Sequence, residues 1–169
     1  MNGPSDILTS GLNVVFCGLN PALSAAREGH NFSSPSNRFW RVLHRAGFTP
    51  RQLRADEEWK ILDYGLGITA AVMRPTKSAS ELTRCDYVAA GPALERKIRS
   101  FAPNNVAFLG KAAYAAIGLK RHIEWGKQPE SLAGAAIWVL PNPSGLNRAF
   151  NLESLTAHYR QLQVACGRP

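Results

Sequence analysis

Two short polar turns hold the residue types from which chemistry can be built. Gly18-Leu19-Asn20-Pro21 follows the apolar run Leu12 to Cys17, and Pro141-Asn142-Pro143-Ser144-Gly145-Leu146-Asn147-Arg148 follows the apolar run Ala136 to Leu140. Asn20 has a carbonyl acceptor and an amide donor but no proton to exchange near neutral pH, so it can orient a water and cannot act as a strong base. Such a group suits a reaction whose electrophile is already reactive. An Asn-Pro after a strand also serves as a plain turn, its amide bonding its own backbone. The residues alone leave both uses open.

The second turn exposes a leucine where connecting loops usually carry polar residues. An apolar side chain at a loop tip beside an arginine can wedge between stacked bases while the arginine meets phosphate or base edges; a leucine folded back onto the core is the plainer outcome. Asn142, between Pro141 and Pro143, has little backbone freedom and suits a fixed hydrogen bond to a ligand or an Asx-type turn. The stretch Gly29 to Arg38 is a polar loop with one aromatic, Phe32, which on the same rim can stack on a flat ring or simply anchor its loop. Gly110-Lys111 brings a cation toward that rim, but the phosphate-loop pattern of glycines with Lys-Ser/Thr is absent, which argues against nucleoside triphosphate chemistry. His30, His44, His122 and His158 lack metal-ligand spacing. No metal and no cofactor are expected.

The elements that must position these groups follow from hydrophobic patterning. Apolar runs at Leu12 to Cys17, around Leu66 to Val72, at Asn105 to Leu109 and at Ala136 to Leu140 predict buried parallel strands. Phe39, Val42, Leu43 and Ala46 recur at helical spacing, with Ser36 or Asn37 as N-cap and Gly47 as the stop. Leu94, Ile98 and Phe101 predict a helix beginning near Ala90 with Pro92 in its first turn. Leu152, Leu155, Tyr159 and Leu162 predict a last helix capped by Asn151. The segment 119–134 reads as a loop or short irregular elements. Strand-helix alternation implies an α/β fold, a mostly parallel sheet with helices on both faces, and right-handed crossovers put the strand carboxyl ends on one rim. Ligands bind at that rim in open α/β sheets.

Composition bounds the partners. A chain of 169 residues suits a single domain, residues 1–169, without a linker or internal repeat. Twenty Lys and Arg against twelve Asp and Glu give a formal charge of +8, which favours nucleic acid or another polyanion, although many basic domains bind neither. Cys17, Cys85 and Cys166 are far apart and odd in number, so neither a disulfide framework nor a zinc site or iron-sulfur cluster is indicated. Met1 to Gly11 lack a signal pattern, and no apolar run approaches a membrane span. The expected location is the cytoplasm, at the nucleoid if the chain is bacterial.

The stretch Val14 to Pro21, Asn37-Arg38-Phe39-Trp40, Leu109-Gly110-Lys111 and Trp138 to Leu146, in this order and spacing, resemble the motifs of the mismatch-specific uracil-DNA glycosylases, the thymine-DNA glycosylase branch of the uracil-DNA glycosylase superfamily. The resemblance runs from about Leu12 to Tyr159. It implies a three-layer α/β/α sandwich around a short, mostly parallel sheet and monofunctional excision of uracil, preferably from G:U mismatches, with no metal. It implies that Asn20 positions the attacking water, that Phe32 stacks on the flipped base, and that Gly18 and Leu19 wall the pocket. Asn142 falls beside the base. Ser144, Gly145, Leu146, Asn147 and Arg148 match the segment that enters the duplex, with Lys111 near phosphate. The implied partner is double-stranded DNA with a mismatched or damaged base, and one wedge and one pocket need only a monomer.

Ala22 stands where the family often has glycine, Ala25 where some bacterial members have serine, and Ala70 where others carry a polar side chain. These positions bear on which base fits, whether uracil, thymine or ethenocytosine. Two other classes share part of the pattern. A non-catalytic DNA-damage binding module would keep the charge and the wedge without needing Asn20. A hydrolase of free nucleosides would keep the pocket with little use for an exposed Leu-Asn-Arg tip.

Overall fold

The computed structural model describes residues 2–118 and 122–167. Five strands form one sheet in the order β2-β1-β3-β5-β4. β1 (Val14–Gly18), β2 (Leu66–Ala70), β3 (Asn105–Leu109) and β5 (Ala135–Leu140) run parallel. β4 (Gly126–Leu132) is antiparallel to β5 at one edge.

The parallel strands are predominantly apolar because helices cover both faces. Val14, Phe16, Leu66, Ile68, Ala107, Leu109, Trp138 and Leu140 pack on one side with α2 (Phe39–Arg45), α5 (Leu152–Cys166) and an intervening 3-10 segment (Ala55–Tyr64). Cys17, Val106, Phe108, Ile137 and Val139 pack on the other with α3 (Arg84–Phe101) and α4 (Lys111–Ala115). The alternation along each strand sends successive side chains to opposite layers, as the period of two requires. α1 (Leu23–Glu28) begins just after the first polar turn and ends at Gly29, whose φ of 73° is left-handed.

Several expectations are corrected. Segment 119–134 contains β4, a seven-residue edge strand; Leu119, Lys120 and Arg121 lie outside the described residues. It reads as a loop because Gly126-Lys127-Gln128-Pro129-Glu130 is polar and contains proline, both compatible with an edge strand. The register shifts between Lys127 and Ser131, around that proline. α3 starts at Arg84, not near Ala90, with the Thr83 side chain accepting from the Asp86 N–H, so Pro92 lies inside the helix. Pro92 is exposed there, so the Val88 carbonyl that its missing N–H leaves unpaired is on a face open to water. Asn151 does cap α5, accepting from the Ser154 N–H at 2.8 Å. No helix among the described residues is long and apolar enough to cross a membrane.

Candidate active site

The carboxyl ends of β1, β2, β3 and β5 open onto one cleft of about 470 Å³. Gly18, Leu19 and Asn20 come to it from β1, Thr69 and Ala70 from β2, Leu109 from β3, and Asn142, Ser144, Leu146 and Asn147 from the loop after β5. Asn31 and Phe32 reach it from the loop before α2, and Thr76 and Lys77 from the chain after β2. The first turn is braced by backbone bonds from Ala71 N–H to the Gly18 carbonyl at 2.9 Å and from Val72 N–H to the Leu19 carbonyl at 2.8 Å.

Asn20 has one orientation open to it. Its Nδ2 donates to the Arg74 carbonyl at 3.0 Å and to Thr76 Oγ1 at 2.8 Å. A main-chain carbonyl can only accept, so the amide atom facing it must be nitrogen, and Oδ1 is the atom left to the cleft. The Arg74 carbonyl is itself held in place. The Arg74 guanidinium bonds Asp86 Oδ2 at 2.7 Å and the Glu81 carbonyl at 2.9 Å. The same guanidinium, then the Thr83 N–H and hydroxyl, holds the Asp86 carboxyl well below the usual carboxylate range. The start of α3 thus positions Asn20 through Asp86 and Arg74.

Phe32 anchors its loop at the wall of the cleft. One face packs on Phe39 with ring centroids 4.1 Å apart and planes 27° apart, and the ring also lines the cleft. Its φ of 54° is left-handed, a conformation a bulky residue keeps only where neighbours enforce it. Glu58, 2% exposed, does so by accepting from the Asn31 N–H at 2.7 Å and from Asn31 Nδ2 at 3.1 Å. Trp40 Nε1 donates to the Asn31 carbonyl at 3.2 Å.

The loop after β5 is bonded to itself. Asn142 Oδ1 accepts from the Ser144 N–H at 3.0 Å, the Asx turn weighed above, so its Nδ2 is the half of the amide without a partner among the described residues. Ser144 Oγ accepts from the Leu146 N–H at 3.2 Å, and Asn147 Nδ2 donates to the Asn142 carbonyl at 3.0 Å. The buried Tyr159 hydroxyl fixes the start of the loop by donating to the Pro141 carbonyl at 2.9 Å. Leu146 is 89% exposed at the tip, so it is not folded back onto the core. Gly145 is required by closeness: a Cβ there would lie 2.6 Å from Ser36 Cβ.

Lys111 and Arg148 stay outside the cleft. Lys111 Nζ sits over the Trp125 ring, 4.7 Å from its centroid, and Arg148 is exposed beyond the tip. Ala22, Ala25 and Ala70 all line the cleft, so small side chains leave width in its wall. Cys17 is buried one residue before Gly18, and burial pushes its thiol far above the range in which a thiolate forms. It is no nucleophile.

Sequence reasoning missed Arg74, Thr76, Glu58 and Asn31, which act through contacts 27 to 56 residues apart in the chain. It also missed the role of Arg38, whose guanidinium bonds the carbonyls of Pro143, Ser144, Asn147 and Phe150. Arg38 lies in the Asn37-Arg38-Phe39-Trp40 motif, so a signal was present there; for the others none was.

Over residues 6–163 the chain matches the Uracil DNA glycosylase superfamily. It is similar to the solution NMR structure of a Methanosarcina acetivorans protein described as a candidate uracil DNA glycosylase, with 20% sequence identity, a TM-score of 0.63, and 95% of this chain and 97% of that chain covered. That likeness establishes a shared mixed α/β fold with a mostly parallel central sheet.

Proposed function

The chain belongs to the uracil-DNA glycosylase superfamily, and on that premise we propose that it is a monofunctional glycosylase that flips uracil out of double-stranded DNA, preferably from G:U mismatches, and hydrolyses its N-glycosidic bond. The observation that carries this reading is the locked amide of Asn20, whose two donor contacts leave Oδ1 as a fixed acceptor at the cleft. An acceptor there can hold a water by one hydrogen and aim its lone pair at C1′ of a bound nucleotide. The C1′–N1 bond breaks with its electron pair leaving on the base, the water oxygen bonds C1′, and the water's proton passes to solvent.

The sugar is already electrophilic as that bond stretches, so the larger task is to stabilise the departing uracil anion with preorganised donors. Asn142 Nδ2 is free to donate to the base, and the cleft-facing part of the Phe32 ring offers it a stacking surface. An exposed leucine at the tip of a braced loop supports duplex entry, with Leu146 filling the vacated stack and Arg148 and Lys111 near phosphate. A hydrolase of free nucleosides has no use for that tip, and a binding module has no use for the Asn20 tether.

The test is incubation with a duplex carrying one G:U pair. Release of free uracil with an alkali-labile abasic site is expected, with slower release from A:U, because a mismatched base costs less to extrude. Intact uracil at full binding would leave the binding module, and release from deoxyuridine alone would leave the nucleoside hydrolase.

A further inference from the structure

We propose that Arg38 is the positioning residue of the insertion loop, setting how rigidly Leu146 is presented to the duplex; the inference rests on the duplex-entering role proposed for that loop. One guanidinium gathers four carbonyls. Nη2 donates to Ser144 at 2.8 Å and Asn147 at 2.9 Å, Nη1 to Phe150 at 2.6 Å, and Nε to Pro143 at 3.3 Å. The Arg38 main-chain N–H also donates to the Pro143 carbonyl, at 3.0 Å. Among the described residues no carboxylate pairs with this cation, so its charge is answered by the loop's own main-chain oxygens.

The geometry has a mechanical meaning. Ser144 and Asn147 flank the apex, and both carbonyls are drawn onto one nitrogen, which leaves Gly145 and Leu146 as the only residues between the two anchored points. A leucine on a loose loop would lose its ordering entropy on entering DNA; a leucine on a clamped loop has lost most of it beforehand. Gly145 packs against Ser36, two residues before the clamp, so the apex is seated from the other side as well. The clamp also joins the loop to the pocket, because the next residue, Phe39, is the one on which Phe32 stacks. Lysine cannot substitute. Its compact ammonium lacks the planar fork that reaches several carbonyls in fixed directions.

A loop that matters for opening a paired stack should matter little where the stack is already open. We would measure saturating single-turnover excision on a duplex carrying one stacked G:U wobble pair and on the same uracil in an unpaired bubble, for wild type, Arg38→Lys, Leu146→Ala and the double variant. Arg38→Lys should slow excision from the paired duplex by about tenfold, the size of one lost charge-assisted hydrogen bond, and excision from the bubble by less than about threefold. In the Leu146→Ala background Arg38→Lys should have almost no further effect on the paired duplex, since both changes disable one device. Gly145→Ala, which displaces the apex with the guanidinium intact, should show the same substrate selectivity and gives a second route if Arg38→Lys folds poorly. Equal losses on both substrates, or fully multiplicative effects with Leu146→Ala, would overturn the clamp while the glycosylase reading stands. Wild-type protein that leaves uracil intact in both substrates would overturn the glycosylase reading itself.

Discussion

Thr76→Val isolates the tether that aims Asn20. Thr76 is 4% exposed and valine has nearly its shape, so the substitution removes the acceptor 2.8 Å from Asn20 Nδ2 and leaves the Arg74 carbonyl, 3.0 Å away, as the remaining anchor. A neutral hydrogen bond of this kind contributes roughly 0.5–1.5 kcal/mol net. If all of it is spent in holding Oδ1 on the water, the chemical step slows by about 2- to 13-fold at 1.36 kcal/mol per decade. Half-exposed Asn20 can replace the lost contact with water, which places the expectation near the middle, about fivefold. The assay is single-turnover excision on a G:U duplex with enzyme in excess, which reads the chemical step apart from product release, with duplex affinity measured separately. Affinity should be unchanged, because the substitution removes one contact to Asn20 and leaves the exposed Leu146 tip and the basic side chains as they are. An unchanged chemical rate would refute the tether. A loss as deep as that of Asn20→Ala would show that one contact, not two, fixes the amide.

Asn20→Ala should keep duplex binding and lower single-turnover excision by about two to four orders of magnitude, taking effects of general acid-base size as the guide; a wild-type rate would remove Asn20 from the mechanism. Leu146→Ala should shift thermal stability by no more than about 0.5 kcal/mol, as expected of a surface side chain, while slowing excision from paired duplex; a large melting shift with normal excision would mark Leu146 as packing. Asp86 has a folded-state pKa lowered by Arg74, so its contribution to stability is complete above the ordinary carboxylate pKa of about 3.9 and is lost as pH falls toward the folded value. Asp86→Asn should therefore lower the melting temperature at pH 7 and make it less sensitive to acid between about pH 4 and 2; parallel melting curves for wild type and variant across that range would refute the assignment.

Legibility in the sequence followed periodicity. β3 is legible with its observed limits, Asn105 to Leu109, because a parallel strand buried from Val106 onward writes an apolar run directly after the polar Asn104-Asn105 pair. β4 was missed because its outer face meets water and its ladder tolerates Pro129, so almost nothing apolar marks it. The start of α3 is not legible because a proline ahead of a helical pattern reads as a first turn, whereas Pro92 sits on an exposed face in mid-helix and Thr83 does the capping. Among residues that line the cleft, Asn20, Asn142 and Leu146 were legible because they stand in short turns after strands. Thr76, Arg74 and Glu58 were not, since what they do depends on partners brought close only by the fold.

The two turns solve opposite problems by one arrangement: in each, the acting atom is free because the atoms behind it are bound. At Asn20 both amide hydrogens are engaged so that Oδ1 is available. At Leu146 the carbonyls on either side are engaged so that the side chain can stand in solvent. Leaving a leucine exposed forgoes about 1.5–3 kcal/mol of burial energy in the free protein. Under the proposed function that sum is recovered on entering the stack. It is of the same order as the few kcal/mol that unstacking and unpairing one base costs. With the two terms of the same order, the proposed function makes pairing strength the deciding quantity: a G:U wobble, weaker than a Watson–Crick pair, would be easier to open than a well-paired base. Preference for mismatches would then arise at the wedge, before any base reaches the cleft, and Leu146→Ala should erode discrimination between G:U and A:U as well as rate.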